Sequence, residues 1–267
     1  MRQYALITGA AGGLGRAFAW ELAARGWDLL LTDTSEDALR LVAHGVARAH
    51  GVRVRVHVCN LQHDRQVRSL ATWAGSMTVP VGVLVNVAGF DVEGVFLERA
   101  PERLLALMRV NMEAGMLLTH ELVSRHAYWE PIRVINTASL AAFYPMPYKA
   151  LYAASKAFVL SSSLALRHEL HGRATVTVLC PAGMPTTPGC REAIRAQGLV
   201  GRLTTMNTSD VARRACSAAM RGTPLVVPGL LNRLMLALSR VMPLPVLSSM
   251  IGARWAASRR TTVRRAS

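Results

Sequence analysis

The sequence predicts an α/β protein: a doubly wound parallel β-sheet in a single domain over residues 1–228, followed by a helical, basic extension over 229–267. Three observations predict it. The 267 residues suit one such domain, and no Ser-, Gly- or Pro-rich tract long enough to act as a linker appears before the last forty residues. Short apolar runs alternate with longer stretches of helical period, as a parallel sheet covered by helices requires. The third apolar run sets Val52, Val54, Val56 and Val58 against Arg53, Arg55 and His57, so one of its faces is wet. A strand of that kind belongs at a sheet edge, where the strand order 3-2-1-4-5-6 puts the third strand.

In chain order, strands are expected near 3–8, 27–33, 52–58, 81–87, 131–137, 174–180 and 224–227, with helices between them. The run from Val81 to Val87 is apolar almost throughout, as in a central strand covered on both faces. The opening residues run straight into a strand and leave no room for a signal peptide, so a cytoplasmic location is expected. Cys59, Cys180, Cys190 and Cys216 show no CxxC pairing and no His at metal-ligand spacing, so reduced thiols and no metal are expected. The formal charge of +15 comes almost entirely from arginine spread along the chain, Lys149 and Lys156 being the only lysines. No aromatic-interleaved basic stripe accompanies it, so a nucleic-acid partner is not expected.

Directly after the first strand comes Thr8-Gly9-Ala10-Ala11-Gly12-Gly13-Leu14-Gly15, leading into a helix of apolar period through Phe18 and Leu22. Glycines let the backbone turn sharply and approach a pyrophosphate, while the helix N-terminus offers unpaired N–H groups and a favourable dipole. A glycine-rich loop by itself is also compatible with a plain tight turn. Asp33, which ends the second strand 18 residues beyond Gly15, adds a second signal. A carboxylate there accepts hydrogen bonds from the adenosine ribose and repels a 2′-phosphate, which favours NAD over NADP. Asp33, Thr34 and Ser35 are also helix-capping types, so capping is the competing role.

Ser139 follows the fifth strand, Tyr152 stands thirteen residues later and Lys156 four further on. Residues at i and i+4 share a helix face, so the Lys156 ammonium is expected beside the Tyr152 phenol, favouring its ionised form. A free tyrosine titrates near pH ~10, too high for a good base, and a fixed cation shifts it the useful way. Tyr144 and Tyr148 have no lysine at that offset. Ser139 is placed to hold a substrate oxygen. A tyrosine packed on an interface helix beside a solvated lysine is the structural alternative.

These residues resemble the short-chain dehydrogenase/reductase family over about residues 3–228: its TGxxxGxG motif matches Thr8 to Gly15, its YxxxK motif Tyr152 to Lys156, and its serine Ser139. The resemblance implies a Rossmann-type fold and an oxidoreductase that interconverts a secondary alcohol and a ketone by hydride transfer with a nicotinamide cofactor. It further implies that Asn111 holds a water linking Lys156 to a proton path, and that Lys156 and Tyr152 meet the nicotinamide ribose. The cofactor set it implies is Gly9, Gly13, Leu14, Gly15, Asp33, Asn60, Leu61, Asn86, Ala88, Gly89, Pro181, Met184 and Thr186.

Three departures stand out. The family's NNAG reads Asn86-Val87-Ala88-Gly89. Asn60, before Leu61, replaces the usual acid beside the adenine. The Pro-Gly motif reads Pro181-Ala182-Gly183-Met184-Pro185-Thr186, with Thr186 still five residues past the proline. Within the family, Ala141-Ala142-Phe143, Tyr152 to Ala157 and Leu225 to Gly229 are similar to a bacterial branch related to long-chain 3-oxoacyl-CoA reductases and hydroxysteroid dehydrogenases. Those relatives favour NADP through an arginine just after the second strand. Here Thr34 holds that place, so NAD is expected and an NADP-linked ketoreductase is the alternative, with a non-catalytic dinucleotide sensor as the remaining one.

Residues 184–207 read as a long loop of lid type, and Phe143, Tyr144, Met146 and Met184 as an apolar pocket for a hydrophobic substrate, with core packing the competing role. By resemblance, long helices near 104–127 and 150–171 pair subunits into a homodimer or homotetramer. From Arg221 to Ser267 eight arginines and no acid interleave with apolar runs, while Pro243 and Pro245 break any bilayer-crossing span. A peripheral contact with an anionic membrane surface is expected there, against a helix closing the pocket or a subunit contact, ending in a disordered Arg-rich tail.

Overall fold

The computed structural model describes residues 3–126, 130–186, 190 and 203–253, apart from the side chain of Arg240. Seven parallel strands form one sheet in the order β3-β2-β1-β4-β5-β6-β7: β1 Tyr4–Thr8, β2 Asp28–Asp33, β3 Val54–Val58, β4 Val81–Asn86, β5 Ile132–Thr137, β6 Ala174–Leu179 and β7 Leu225–Val226. Each expected strand is present, trimmed by one or two residues. The helices are α1 Gly13–Ala24, α2 Glu36–His50, α3 Asp64–Gly75, α4 Pro101–Met108, α5 Ala114–Arg125, α6 Ala150–Glu169, α7 Thr208–Met220 and α8 Leu230–Val241, with a further helical stretch over 244–253.

Burial follows the hydrophobic pattern. All of β1 and nearly all of β2 and β4 are buried, since helices cover both faces of a doubly wound sheet. One apolar layer, through Ile7, Phe18, Leu22, Leu31 and Val85, joins the sheet to α1 and α7. The opposite layer, through Leu6, Leu30, Leu84 and Leu118, joins it to α3 and α5. Strand β3 lies at the edge as predicted, although Val58 faces solvent and His57 stacks on Trp73, ring centroids 4.9 Å apart. The first crossover turns at Thr8, whose hydroxyl accepts from the Val87 and Ala88 amides (3.1 and 3.2 Å) and so ties the end of β1 to the end of β4.

The single helix expected near 104–127 is interrupted. A π-helical turn, Arg109–Glu113, separates α4 from α5 and carries Asn111 inward. Such insertions re-aim one side chain without breaking the helix, and Asn111 is the residue re-aimed here. The last residue of that expected span, and positions 187–189 and 191–202 of the expected lid, lie outside the described residues, as does the Arg-rich stretch from 254 on.

Candidate active site

The carboxyl ends of β1, β4, β5 and β6 converge on one cleft, the place where open α/β sheets bind ligands. Its floor at β1 is the glycine loop. Gly9 has φ +64°, in the left-handed region, and a Cβ there would lie 2.9 Å from Ala88 Cα. At Gly15 a Cβ would come within 2.0 Å of the Gly9 carbonyl oxygen. Only glycine fits either place, so the backbone turns tightly and directs the N-terminus of α1 into the cleft. Leu14 packs into the core, leaving only its backbone to a ligand. Thr186 stands directly over Gly13, 3.0 Å from the position of an added Cβ. These features fit the pyrophosphate of a dinucleotide: a tight turn with glycine at positions 9, 12, 13 and 15, and a helix N-terminus behind it.

Asp33 closes the end of the loop. Its Oδ2 accepts from the Ala11 amide (3.0 Å) and its Oδ1 from the Thr34 amide (2.7 Å). The cap of α2 is Ser35, whose hydroxyl accepts from the Ala38 amide, so Asp33 is spared the capping role. Asn60 behaves differently: its Oδ1 accepts from the Gln62 amide (3.0 Å) and its own amide donates to Gln66 Oε1 (2.7 Å), shaping a local turn beside Leu61. Asn86 points its Nδ2 sideways to Asn136 Oδ1 (2.9 Å) and Thr119 Oγ1 (3.2 Å), pinning β4 to β5 and α5. Pro181 serves through its carbonyl, which accepts from the Leu140 amide (3.0 Å) and joins the end of β6 to the loop after Ser139.

The predicted triad assembles at the end of β5. Ser139 caps a 3₁₀ turn, its hydroxyl accepting from the Ala141 amide (3.1 Å), and its side chain acts on Tyr152 to lower that phenol's pKa. Lys156, one turn along α6, is buried and donates to the Thr137 carbonyl (2.9 Å), with Nζ 5.7 Å from the Tyr152 ring centroid. Burial lowers its pKa to about 8. Asn111 grips the backbone of Phe90 at both ends, Oδ1 accepting from its amide (3.0 Å) and Nδ2 donating to its carbonyl (2.9 Å). Gly89 lies between Asn111 and Lys156: an added Cβ would sit 3.0 Å from Asn111 Oδ1 and 3.4 Å from Lys156 Nζ.

One electrostatic expectation is corrected. Burial raises the Tyr152 pKa, against downward contributions from Ser139 and from the charge of Lys149. The predicted cation sits beside the ring, but burial sets the sign of the shift. Of the four expected pocket residues, Phe143 and Met184 pack against core clusters, which is their structural role.

Sequence reasoning misses the group that faces Tyr152 from the other side. Lys149 pairs with Asp91 and, at 3.0 Å, with Glu93, while its Nζ stands 5.9 Å from the Tyr152 ring centroid. Burial opposes its charge, but the two carboxylates outweigh that and raise its pKa. Lys149 occupies the cap position of α6, where a helix dipole disfavours a cation, and the carboxylates compensate. Tyr148, held at φ +66°, accepts from the Gly94 amide (2.8 Å), so the 91–94 loop and the start of α6 clamp each other. A usable signal was present: Lys149 is the chain's other lysine, three residues before Tyr152.

Comparison with known proteins decides the family. A family model described as short chain dehydrogenase matches residues 3–197. The chain belongs to the short-chain dehydrogenase family. Within it, the chain is 28% identical over 189 residues to human 17-beta-hydroxysteroid dehydrogenase type 3, covering 70% of this chain and 60% of that protein, so it spans about three-fifths of that relative's length. A short-chain dehydrogenase from Sphingobium yanoikuyae in complex with NADPH is 25% identical with a TM-score of 0.75, covering 90% of this chain and 96% of that one. Another, from Burkholderia phymatum in complex with NAD, is 25% identical with a TM-score of 0.78, covering 88% and 92%. Solved neighbours in complex with NADPH and with NAD thus resemble this family member at the same identity, 25%.

Proposed function

We propose that this short-chain dehydrogenase interconverts a secondary alcohol and a ketone on a hydrophobic substrate, using NAD(H), with Tyr152 as acid and base. The observation that carries the reading is the convergence of Ser139 and the buried Lys156 on the Tyr152 side chain, with Lys156 Nζ 5.7 Å from its ring centroid. A substrate oxygen placed between the two hydroxyls would be held by Ser139 while Tyr152 takes its proton in oxidation or returns it in reduction. When bound along the glycine loop, the nicotinamide dinucleotide supplies the hydride acceptor or donor. Lys156 would orient the bound ribose, and its pKa near 8 lets it exchange protons close to neutrality. Asn111 keeps Gly89 and Phe90 in place beside that lysine, a positioning role through its two backbone bonds.

NAD is favoured because Asp33 presents its carboxylate beside the glycine loop and Thr34, not arginine, follows it. The NADPH-bound neighbour supports the second reading, an NADP-linked ketoreductase of the 3-oxoacyl or steroid type. Turnover of a panel of hydrophobic secondary alcohols and ketones, read by nicotinamide absorbance with each cofactor, tests the proposal. Tyr152→Phe should lower kcat by about 100-fold or more while leaving dinucleotide affinity intact. Unaltered turnover in that variant would overturn the mechanism, and tighter binding of NADP than NAD would overturn the cofactor assignment.

A further inference from the structure

Helix α8 has two faces. Asn232 and Leu236 are buried on one, with Asn232 Nδ2 donating to the carbonyls of Pro228 (2.8 Å) and Thr204 (3.2 Å) and Leu236 packing beside Val178 and Cys180. The other is apolar and uncovered by any described residue: Leu230 is 82% exposed, Leu234 55%, Leu238 58% and Val241 82%, at helical spacing that sets them in one stripe. Leu244, Val246 and Met250 continue the exposed apolar surface along the next helical stretch. Single exposed leucines are ordinary, but a stripe of this length signals a contact.

Charge selects the occupant. From Arg221 to Ser267 the sequence holds eight arginines and no aspartate or glutamate. A second copy meeting this face about a two-fold axis would bring arginine against arginine, because such an interface sets the same patch on both sides. An anionic bilayer accepts both features at once, leucines below the headgroups and guanidinium groups among them. Among the described residues no helix is long and apolar enough to cross a membrane, and Pro243 lies between the two short helical pieces, with Pro245 in the first turn of the second. We infer that α8 and the 244–253 stretch form a docking surface for an anionic phospholipid membrane, lying in its interface.

The position of this surface adds a consequence. A Cβ on Gly252 would lie 3.1 Å from Pro147 Cγ, so the second helical piece rests on the turn that leads into Lys149 and Tyr152. A substrate dissolved in the bilayer would then approach the site from the docked side. That delivery rests on the proposed function, whereas the docking does not.

Sedimentation of the full chain with vesicles of phosphatidylcholine, with and without about one-third phosphatidylglycerol, tests the docking without any turnover. The native protein should bind the anionic vesicles at least tenfold more strongly than the neutral ones, and less so as salt is raised. Leu234→Glu with Leu238→Glu should lose at least tenfold in partitioning while keeping the native melting temperature. Leu234→Ser with Leu238→Ser, a milder change, should lose part of it. Failure of the native protein to sediment with anionic vesicles at 0.1 M salt, or equal binding by both variants, overturns the proposal. So does a lipid-free dimer, seen by light scattering, that dissociates in the glutamate variant, because the face then belongs to a second copy.

Discussion

Lys149 stands with its Nζ 5.9 Å from the centroid of the Tyr152 ring, and its charge pulls the Tyr152 pKa down against burial. The two residues are a turn apart at the start of α6, and the Asp91 and Glu93 carboxylates hold the ammonium there. Removing the cation should leave burial and the two freed carboxylates acting on the phenol, all in the upward direction. Lys149→Met should therefore move the alkaline rise of alcohol oxidation to higher pH and lower kcat at neutral pH by roughly tenfold. Ketone reduction, which needs the protonated phenol, should change less. A pH profile of kcat in both directions checks this, and an unmoved oxidation limb would remove Lys149 from the site's electrostatics.

Lys156 stores a cost that only activity can justify. Its pKa in the folded chain is lowered to about 8 from 10.5, so the unfolded chain binds its proton more tightly. Stability from this group is thus lowest below pH 8, rises between pH 8 and 10.5, and is level above. Lys156→Met should abolish turnover yet stabilise the ligand-free protein at pH 7. The relief is about 3 kcal/mol from the pKa difference, less about 1 kcal/mol for the Thr137 carbonyl left without its donor. Thermal melts across that pH range are the check: the advantage of the methionine variant should shrink as pH climbs, and a variant less stable than the parent at pH 7 would contradict the burial cost.

Much of this was legible in the order of residues. Apolar runs set the seven strands because burial on both faces leaves no other pattern for Val81–Val85, and the alternation around Arg53 and Arg55 marked the edge. The glycine loop, Ser139, Tyr152 and Lys156 were readable because their spacings alone place them. What could not be read depends on loops meeting in space. Asp91 reaches Lys149 across 58 residues, a pairing set by the clamp between Gly94 and Tyr148. The π-helical turn at Asn111 escaped because one inserted residue hardly alters a helical period. The sign of the Tyr152 shift escaped for a related reason: counting a lysine offset gives a neighbour's position but not how far burial opposes its charge.

The glycine loop allows a graded test of how closely its backbone is packed. At Gly15 an added Cβ meets the Gly9 carbonyl at 2.0 Å, which main chain cannot relieve, whereas at Gly12 the nearest atom is the same oxygen at 3.3 Å. Gly15→Ala should destabilise the fold by roughly 1–3 kcal/mol or more and eliminate dinucleotide binding. Gly12→Ala should fold with nearly native stability, and any loss there should appear in affinity. Melting temperatures and dinucleotide titration separate the two, and equal destabilisation would show that the tight turn is not what the loop requires.

Asp33 has two jobs that a pair of substitutions can separate. Its carboxylate anchors the loop through the Ala11 amide and also carries the negative charge that would repel a 2′-phosphate. Asp33→Asn keeps one oxygen able to accept from the Ala11 amide, gives up the bond from the Thr34 amide, and removes the charge. It should raise NADP affinity relative to NAD by ~10-fold or more while leaving the melting temperature close to native. Asp33→Ala removes both, so NADP should again gain relative to NAD, but now with weaker binding of both dinucleotides because the Ala11 amide has lost its partner. If charge governs the choice, the two variants share the cofactor ratio and differ in absolute affinity. Calorimetric titration of both dinucleotides measures each quantity, and an unchanged NADP to NAD ratio in Asp33→Asn would shift cofactor selection away from this carboxylate and onto the rest of the cradle.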